Sequence, residues 1–365
     1  MADPFCARER KPMNSPTVSV VMSVFNGGSF LSQAVESILH QSFEDFEFII
    51  VDDGSTDASA STLDGFQSRD ARIHVVHQKN TGLVHALNRG CALARGKYIA
   101  RMDADDIALP DRLASQVEFL ESHPTVVLLG GAVDFIDARG NKLHTARYPA
   151  ADTAIKRALL DSSVFWHPTV LMSRRAFVCL GGYRNVPDAE DYDLWLRMAE
   201  IGELANLSQV LLRYRVHAQQ VSVLRCRTQA LGSLAARASA VARRRGDCDP
   251  LHRMSEITAS LLSANGVSDR SLQTTIARSY LSSIRNMFLL RDHASALNML
   301  GVLHSSGFEH AERWVISDSH LCAAKVYWSQ AKYIRCLFSC VVAVIKRPIV
   351  LGRPFKSALR AIFAT

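Results

Sequence analysis

From Thr17 onward the chain alternates between two periodicities. Short runs of branched and aromatic residues, VSVVMSV (18–24), FEFIIV (46–51), IHVVH (73–77), YIARM (98–102) and VVLLG (126–130), read as strands buried on both faces. Between them lie segments with apolar residues at helical spacing. Phe30, Leu31, Ala34, Val35 and Ile38 form one stripe, and similar stretches fall near 56–68, 83–95 and 111–122. This alternation predicts an α/β domain, a mostly parallel sheet flanked by helices. After about residue 220 the strand signals fade. Ala/Leu/Arg-rich patterns at 228–245, 252–264, 271–289 and 293–304 predict a smaller helical C-terminal domain. The expected division is an N-terminal extension (1–16), an α/β domain (17–222), a helical accessory domain (223–330) and a basic amphipathic C-terminal segment (331–365).

With 365 residues, 48% of them apolar, the chain can bury a core in each domain. The net charge of +7 conceals a split: residues 1–220 carry 22 basic and 27 acidic side chains, residues 221–365 carry 20 and 8. A basic half suits an anionic membrane surface or a solvated face, and nucleic acid is not expected as a partner. The eight cysteines form no CxxC pair and have no histidine at zinc spacing, which fits a reducing compartment. Residues 1–16 lack the apolar core of a secretory signal. The longest late apolar run, Cys336 to Ile345, is far short of the roughly 20 residues that span a bilayer. A cytoplasmic protein without a transmembrane helix is expected, peripheral at most on the inner face of the cytoplasmic membrane.

In open α/β sheets ligands bind beyond the carboxyl ends of the strands, so acids placed there are candidates for chemistry. VDDGSTD (51–57) puts Asp52 and Asp53 at a strand end, where a carboxylate can accept hydrogen bonds from a base N–H or a ribose hydroxyl. For Ser55, Thr56 and Asp57, capping of the next helix is the simpler account. RMDADD (101–106) crowds Asp103, Asp105 and Asp106 together, which is costly unless a cation or donors compensate. Hard oxygen ligands suit Mg²⁺ or Mn²⁺, whose shell a substrate's phosphates can complete. The bland account is an acidic turn opening the helix near Pro110. AEDYDLWLRM (189–198) places Glu190, Asp191 and Asp193 in the first turn of a helix. The helix dipole accounts for some of these acids, and one carboxylate can serve as general base toward an attacking hydroxyl.

Taken together, these residues resemble glycosyltransferase family 2. The resemblance covers about 17–220: SVVMSVFNGGSFLSQAVESILHQSFEDFEFIIVDDGSTD (19–57), KNTGLVHALNRGCALARGKYIARMDADD (79–106), HPTVLMSR (167–174), GGYR (181–184), AEDYDLWLR and YRVHAQQVS (214–222). Six motifs in family order are specific where each alone is weak. The resemblance implies the GT-A fold, a Rossmann-like nucleotide-binding sheet flanked by helices. It further implies transfer of a sugar, with inversion, from a nucleotide-diphosphate sugar to an acceptor hydroxyl. A UDP-sugar is the expected donor and a carbohydrate or lipid-linked saccharide in polysaccharide or lipopolysaccharide assembly the expected acceptor. Val24 and Asn26 would shape the nucleotide pocket, Asp53 with Asp52 would contact the nucleoside, and Asp103 would meet the ribose or diphosphate. Asp105 matches the ligand for Mn²⁺ or Mg²⁺, and Asp191 matches the catalytic base. His217 is similar to a late histidine that reaches the metal or diphosphate in some members, although a lone surface histidine is an equal account. His167, Glu190 and Trp195 would line the acceptor side, where core packing is the competing account for His167 and Trp195. Val24-Phe25-Asn26 replaces a frequent proline-containing form, so a less rigid first turn is expected.

Three other readings compete. A nucleotidyltransferase would carry a glycine-rich basic loop after the first strand, whereas here the turn is FNGGSF with no Lys or Arg between it and Arg69. A dinucleotide dehydrogenase would need GxGxxG in that turn. A catalytically decayed nucleotide-sugar-binding module would have lost acids that this chain retains.

Overall fold

The computed structural model describes residues 15–217, 225–252, 256–306, 310–348 and 350. Two compact units emerge: Met1–Asn185 with Glu190–Arg215, and Val186–Ala189 with Val216–Thr365. Residues 1–14 of the extension expected at 1–16, the motif residues 218–222 and the C-terminal stretch from 351 lie outside the described residues.

The first unit is built on a nine-stranded sheet. β1 (Val18–Val24), β2 (Phe46–Asp52), β3 (Ile73–His77) and β4 (Tyr98–Met102) pair in parallel in the order β3-β2-β1-β4. β1, β2 and β4 are buried almost throughout, which is why their sequences are continuous apolar runs instead of alternating ones. The crossovers include α1 (Leu31–Leu39), α2 (Ser59–Gln67) and α3 (Leu83–Leu93). The stripe expected on α1 is the buried one: Leu31, Ala34, Val35 and Ile38. α3 lies close to the sheet through Gly90, where a Cβ would stand 2.7 Å from Val21 Cγ1.

Beyond β4 the pairing becomes mixed. β5 (Ile107–Ala108), β6 (Val126–Ile136), β7 (Lys142–Ala146), β8 (Leu171–Ser173) and β9 (Glu203–Arg215) extend the order as β4-β8-β6-β9-β5, with β7 beside β6. α4 (Arg112–Ser122), α5 (Asp152–Leu159), α6 (Arg174–Cys179) and α7 (Glu190–Ile201) complete the unit. β9 runs parallel to β6 and antiparallel to β5, so its last residues reach the loop that follows β4. The strand order reverses at β1, making the carboxyl ends of β1, β2 and β4 the switch point at which α/β sheets bind ligands.

The second unit is helical where described: Cys226–Arg245, Ala259–Ala264, Asp269–Leu289, His293–Ser305, Arg313–Ser329 and Tyr333–Lys346. The sequence pattern expects a helix over 252–264, but Pro250–His252 forms a 3-10 turn and the helix begins only at Ala259, where Thr258 caps it. The long helices pack around Leu281, Ile284, Met287, Leu300, Leu303, Val315 and Val326. Among the described residues no helix is long and apolar enough to cross a membrane.

Candidate active site

The first two strand-end loops are laced together. Val24 is buried and its carbonyl accepts from the Asp53 amide at 2.8 Å. Asn26 adopts a left-handed φ of 54°, donates its amide to Ser55 Oγ at 2.9 Å, and accepts the Thr56 amide on Oδ1 at 2.8 Å. The amides of Gly27 and Gly28 donate to Ser59 Oγ (2.9 Å) and Asp57 Oδ2 (3.1 Å). The first turn is thus held by its neighbour loop in place of a proline. Helix capping does not describe Ser55: its hydroxyl reaches across to β1's loop, and the N-cap position of α2 falls to Ala58, which makes no side-chain cap. Asp57 serves both ends, since its other oxygen accepts the Ser59 amide at 2.9 Å.

Asp52 and Asp53 are almost fully buried. Asp52 accepts from the Ser55 amide at 3.0 Å and pairs with His77 Nδ1 at 2.8 Å. Burial pushes its carboxyl up, but the bonds from Ser55 and His77 outweigh it, and the group titrates below the ordinary range. Asp53 accepts the amides of Thr81 (2.9 Å) and Gly82 (2.8 Å) and the Gln78 amide group (2.7 Å), fixing the loop that leads into α3. Three of these bonds and the Thr81 hydroxyl load unevenly: Oδ1 takes three donors and Oδ2 one. A carboxylate oxygen offers about two lone-pair sites, so Oδ2 keeps one acceptor position.

The loop after β4 crowds carboxylates whose charges repel one another. Single oxygens of Asp103, Asp105 and Asp106 lie within 4.8 Å of one another. Arg101, buried in the strand, ion-pairs with Asp103 at 2.5 Å. Arg215, at the end of β9, holds the loop from the other side: its amide donates to Asp106 Oδ1 (2.7 Å) and its Nε to the Asp105 carbonyl (2.7 Å). Its guanidinium also reaches Gln33 Oε1 at 2.8 Å and stacks 4.4 Å from the Phe30 ring. Arg112 Nη2 braces the Arg101 carbonyl at 2.7 Å. Asp106 is 1% exposed, and its Oδ2 is buried without a hydrogen-bond partner. Burial, then repulsion from Asp105 and Asp103, drives its carboxyl well above the ordinary range; burial likewise raises Asp103 despite Arg101. An orphaned buried oxygen among converging carboxylates fits a hard divalent cation, which would satisfy it and remove the repulsion.

The acids of α7 separate by role. Asp193 is fully buried and clamps two arginines, Arg184 Nε at 2.9 Å and Arg197 Nε at 2.9 Å, while Arg197 continues to the carbonyls of Leu180 and Gly182. Asp191 is only half-buried and accepts the Tyr192 amide at 2.6 Å. Burial and the nearby charge of Asp103 lift its carboxyl to about 6, against the opposing pull of that amide and of Arg101. Glu190 is buried, 6% exposed. Trp195, 0% exposed, packs against Phe165 and His167, so it belongs to the core and not to an acceptor surface. His167 bonds the Tyr183 hydroxyl at 2.9 Å, and burial holds its imidazole well below the ordinary value and therefore neutral. His217 lies two residues beyond β9, within the second unit. Among the described residues the converging ligand group consists of the three aspartates.

The sequence gives no signal for an aromatic cluster that assembles beside these acids. Trp166 stacks on Tyr148 at 4.8 Å and tilts against Tyr214 at 5.6 Å, with Phe135 edge-on at 5.2 Å. Tyr214 adjoins Arg215, and Trp166 adjoins His167. Trp166 Nε1 is buried without a partner. Burial followed by the Asp106, Asp103 and Asp105 charges raises Tyr214, and burial followed by Asp191 raises Tyr148 to about 12.

A family model described as glycosyl transferase family 2 matches residues 19–181. The chain is 34% identical over 208 residues to the amylovoran biosynthesis glycosyltransferase AmsE of Erwinia amylovora, covering 56% of this chain and 78% of that one. Over 204 residues it is 31% identical to the O-antigen biosynthesis glycosyltransferase WbnJ of Escherichia coli, covering 55% and 80%. The chain belongs to glycosyltransferase family 2. As a member it is a glycosyltransferase, with the GT-A fold. A solved structure of S. aureus TarS 1–349 in complex with UDP-GlcNAc superimposes with a TM-score of 0.53 at 16% identity, covering 89% of this chain and 90% of that one, a likeness of fold. In this glycosyltransferase the three acidic clusters named from sequence fall within one unit; Arg101, Tyr214 and Arg215 lie inside the quoted motifs, but no role is assigned to them there, and the aromatic cluster is not foreseen. Single arginines near strand ends and lone aromatics carry no local pattern that shows which distant groups they meet.

Proposed function

We propose that this glycosyltransferase transfers a sugar from a UDP-sugar, with inversion, to a hydroxyl of a lipid-linked saccharide in polysaccharide or O-antigen assembly. The proposed setting is the inner face of the cytoplasmic membrane, to which the chain binds peripherally. The observation that carries the reading is the convergence of the Asp103, Asp105 and Asp106 carboxylates, with the buried Asp106 Oδ2 left without a hydrogen-bond partner; the charge of Asp103 also acts on Asp191. In this reading Asp191 as base and the three aspartates as diphosphate and metal partners serve one site. Relatives named for amylovoran and O-antigen biosynthesis support the polysaccharide setting, and the UDP-GlcNAc held by the TarS fold supports a uridine donor.

In this reading Val24, Asn26 and Asp52 shape the nucleoside pocket, and Asp53 offers the free position on Oδ2 to a base or ribose donor. Asp105 and Asp106, with Asp103, would hold Mn²⁺ or Mg²⁺, and the ion when bound neutralises charge on the diphosphate leaving group. His217 is proposed as a further contact to the metal or diphosphate. On the acceptor side we place His167 and Glu190 together with the Trp166–Tyr148 stack, whose aromatic faces suit the C–H surface of a pyranose. Asp191 takes the proton of the acceptor hydroxyl as its oxygen bonds to the anomeric carbon and the bond from that carbon to the diphosphate oxygen breaks. One displacement inverts the configuration, and the nucleoside diphosphate leaves. The test is calorimetric titration with UDP-GlcNAc, UDP-glucose, GDP-mannose and dTDP-glucose, each with Mn²⁺ or EDTA. Metal-dependent binding of a UDP-sugar is expected; binding of none of them, or equal binding in EDTA, overturns the reading.

A further inference from the structure

The helix Tyr333–Lys346 packs the wrong way round for a soluble domain. Its buried face is made of small residues, Cys336, Ser339 and Ala343, with the Ala343 carbonyl accepting from Ser317 Oγ at 2.9 Å. Its large apolar residues face outward: Ile334 is 88% exposed, Leu337 66%, Phe338 68%, Val341 48% and Ile345 69%. Their spacing of i, i+3, i+4, i+7 and i+11 makes one continuous stripe along the helix. Contiguous exposed apolar surface of this kind marks a contact with another apolar phase.

The charges around the stripe select the phase. Lys325, Lys332, Arg335, Lys346 and Arg347 are exposed, and no acidic residue occurs in the sequence after Asp318. At the C-terminal end of the helix Lys346 and Arg347 join Arg270 and Arg313 around a cavity of about 740 Å³ where, among the described residues, Glu312 supplies the one carboxylate. A second copy of the same surface would bring like charges together. An anionic bilayer offers both an apolar layer and phosphate groups. Fourteen residues reach about 21 Å, too short to cross a hydrocarbon core of about 30 Å, so the helix would lie along it.

We propose that Tyr333–Lys346 is an interfacial anchor: its Ile334–Ile345 stripe sinks into an anionic lipid surface while the basic cavity at its end receives a lipid phosphate. The inference deepens the peripheral-membrane placement proposed above and rests on it; it is independent of the donor. The test is co-sedimentation of the full chain with vesicles of phosphatidylcholine alone or in equimolar mixture with phosphatidylglycerol. Strong partitioning into the mixed vesicles only is expected. Ile334→Glu combined with Phe338→Glu should weaken it about a hundredfold or more, since two large side chains lose their burial. Both positions are exposed, so unchanged circular dichroism and thermal midpoint verify the fold. If the variant partitions like the parent, the helix is not the anchor although the membrane placement stands. If the parent ignores both vesicles, placement and anchor fall together. Equal binding to neutral vesicles removes the lipid phosphate, and a parent dimer that the variant dissociates assigns the stripe to a second copy.

Discussion

Replacement of Asp191 by Asn should separate activity from stability in opposite directions. The carboxyl is lifted from 3.8 to about 6, chiefly by burial and by Asp103, so ionising it in the folded chain costs at most about 3 kcal/mol at neutral pH. The sign follows from linkage. A raised folded value means the folded state holds the proton longer, so the penalty is absent below the unfolded value near 4 and is fully present once pH exceeds the folded value. Asn carries no such penalty and still offers an oxygen to the Tyr192 amide, which now lies at 2.6 Å from Asp191. Asp191→Asn is therefore expected to gain on the order of 1–3 kcal/mol at pH 7 in urea unfolding and to gain nothing at pH 4. Its turnover should fall about 10²–10⁴-fold, the usual worth of a general base. The assay is metal-dependent hydrolysis of the bound nucleotide sugar without acceptor, read as nucleoside diphosphate release across pH 5–8. The parent rate should fall about tenfold per unit below pH 6, as the base is protonated, and the variant rate should be low and flat. A variant rate within about threefold of the parent, or a parent profile level between pH 5 and 7, would refute the assignment of Asp191.

Asp105→Asn removes one charge from the Asp103–Asp106 triad and should abolish the Mn²⁺-dependent part of nucleotide-sugar binding in calorimetry; an unchanged affinity in Mn²⁺ would move the cation elsewhere. Asp193→Ala leaves Arg184 and Arg197 without their buried counter-charge, and should cost about 3–5 kcal/mol in chemical denaturation, where a loss under about 1 kcal/mol would contradict the clamp. Trp166→Ala should leave donor affinity unchanged and raise the acceptor KM about tenfold or more, from loss of a stacking face, once an acceptor is in hand; a donor-binding defect would instead place the ring on the nucleotide side.

The β/α alternation, the central strands and the buried stripe of α1 were legible in the sequence because each is a local pattern: period two or continuous apolar runs for strands, 3.6 for helices. The acidic clusters were legible too, since strand ends in an open sheet converge wherever the fold is α/β. Local pattern stops short of partners distant in the chain. Asp191 and Asp193 look alike two positions apart on one helix, yet a left-over charge and a two-arginine clamp give them different chemistry, decided by Arg184 and Arg197. Ser55 reads as a cap, but the first loop, 29 residues earlier, claims its hydroxyl. Trp195 and Trp166 are both indoles near acids; packing buries the first completely and leaves the second half-buried, stacked on Tyr148. Arg215 reaches Asp105 and Asp106 across 110 residues only because β9 threads between β6 and β5. The amphipathic character of 331–365 was legible in the sequence, but which face the helix Tyr333–Lys346 would bury was not. Periodicity fixes how side chains are arranged around an axis; only the surface it meets decides which side is turned inward, and here that surface takes the small residues and leaves Ile334 and Phe338 outside.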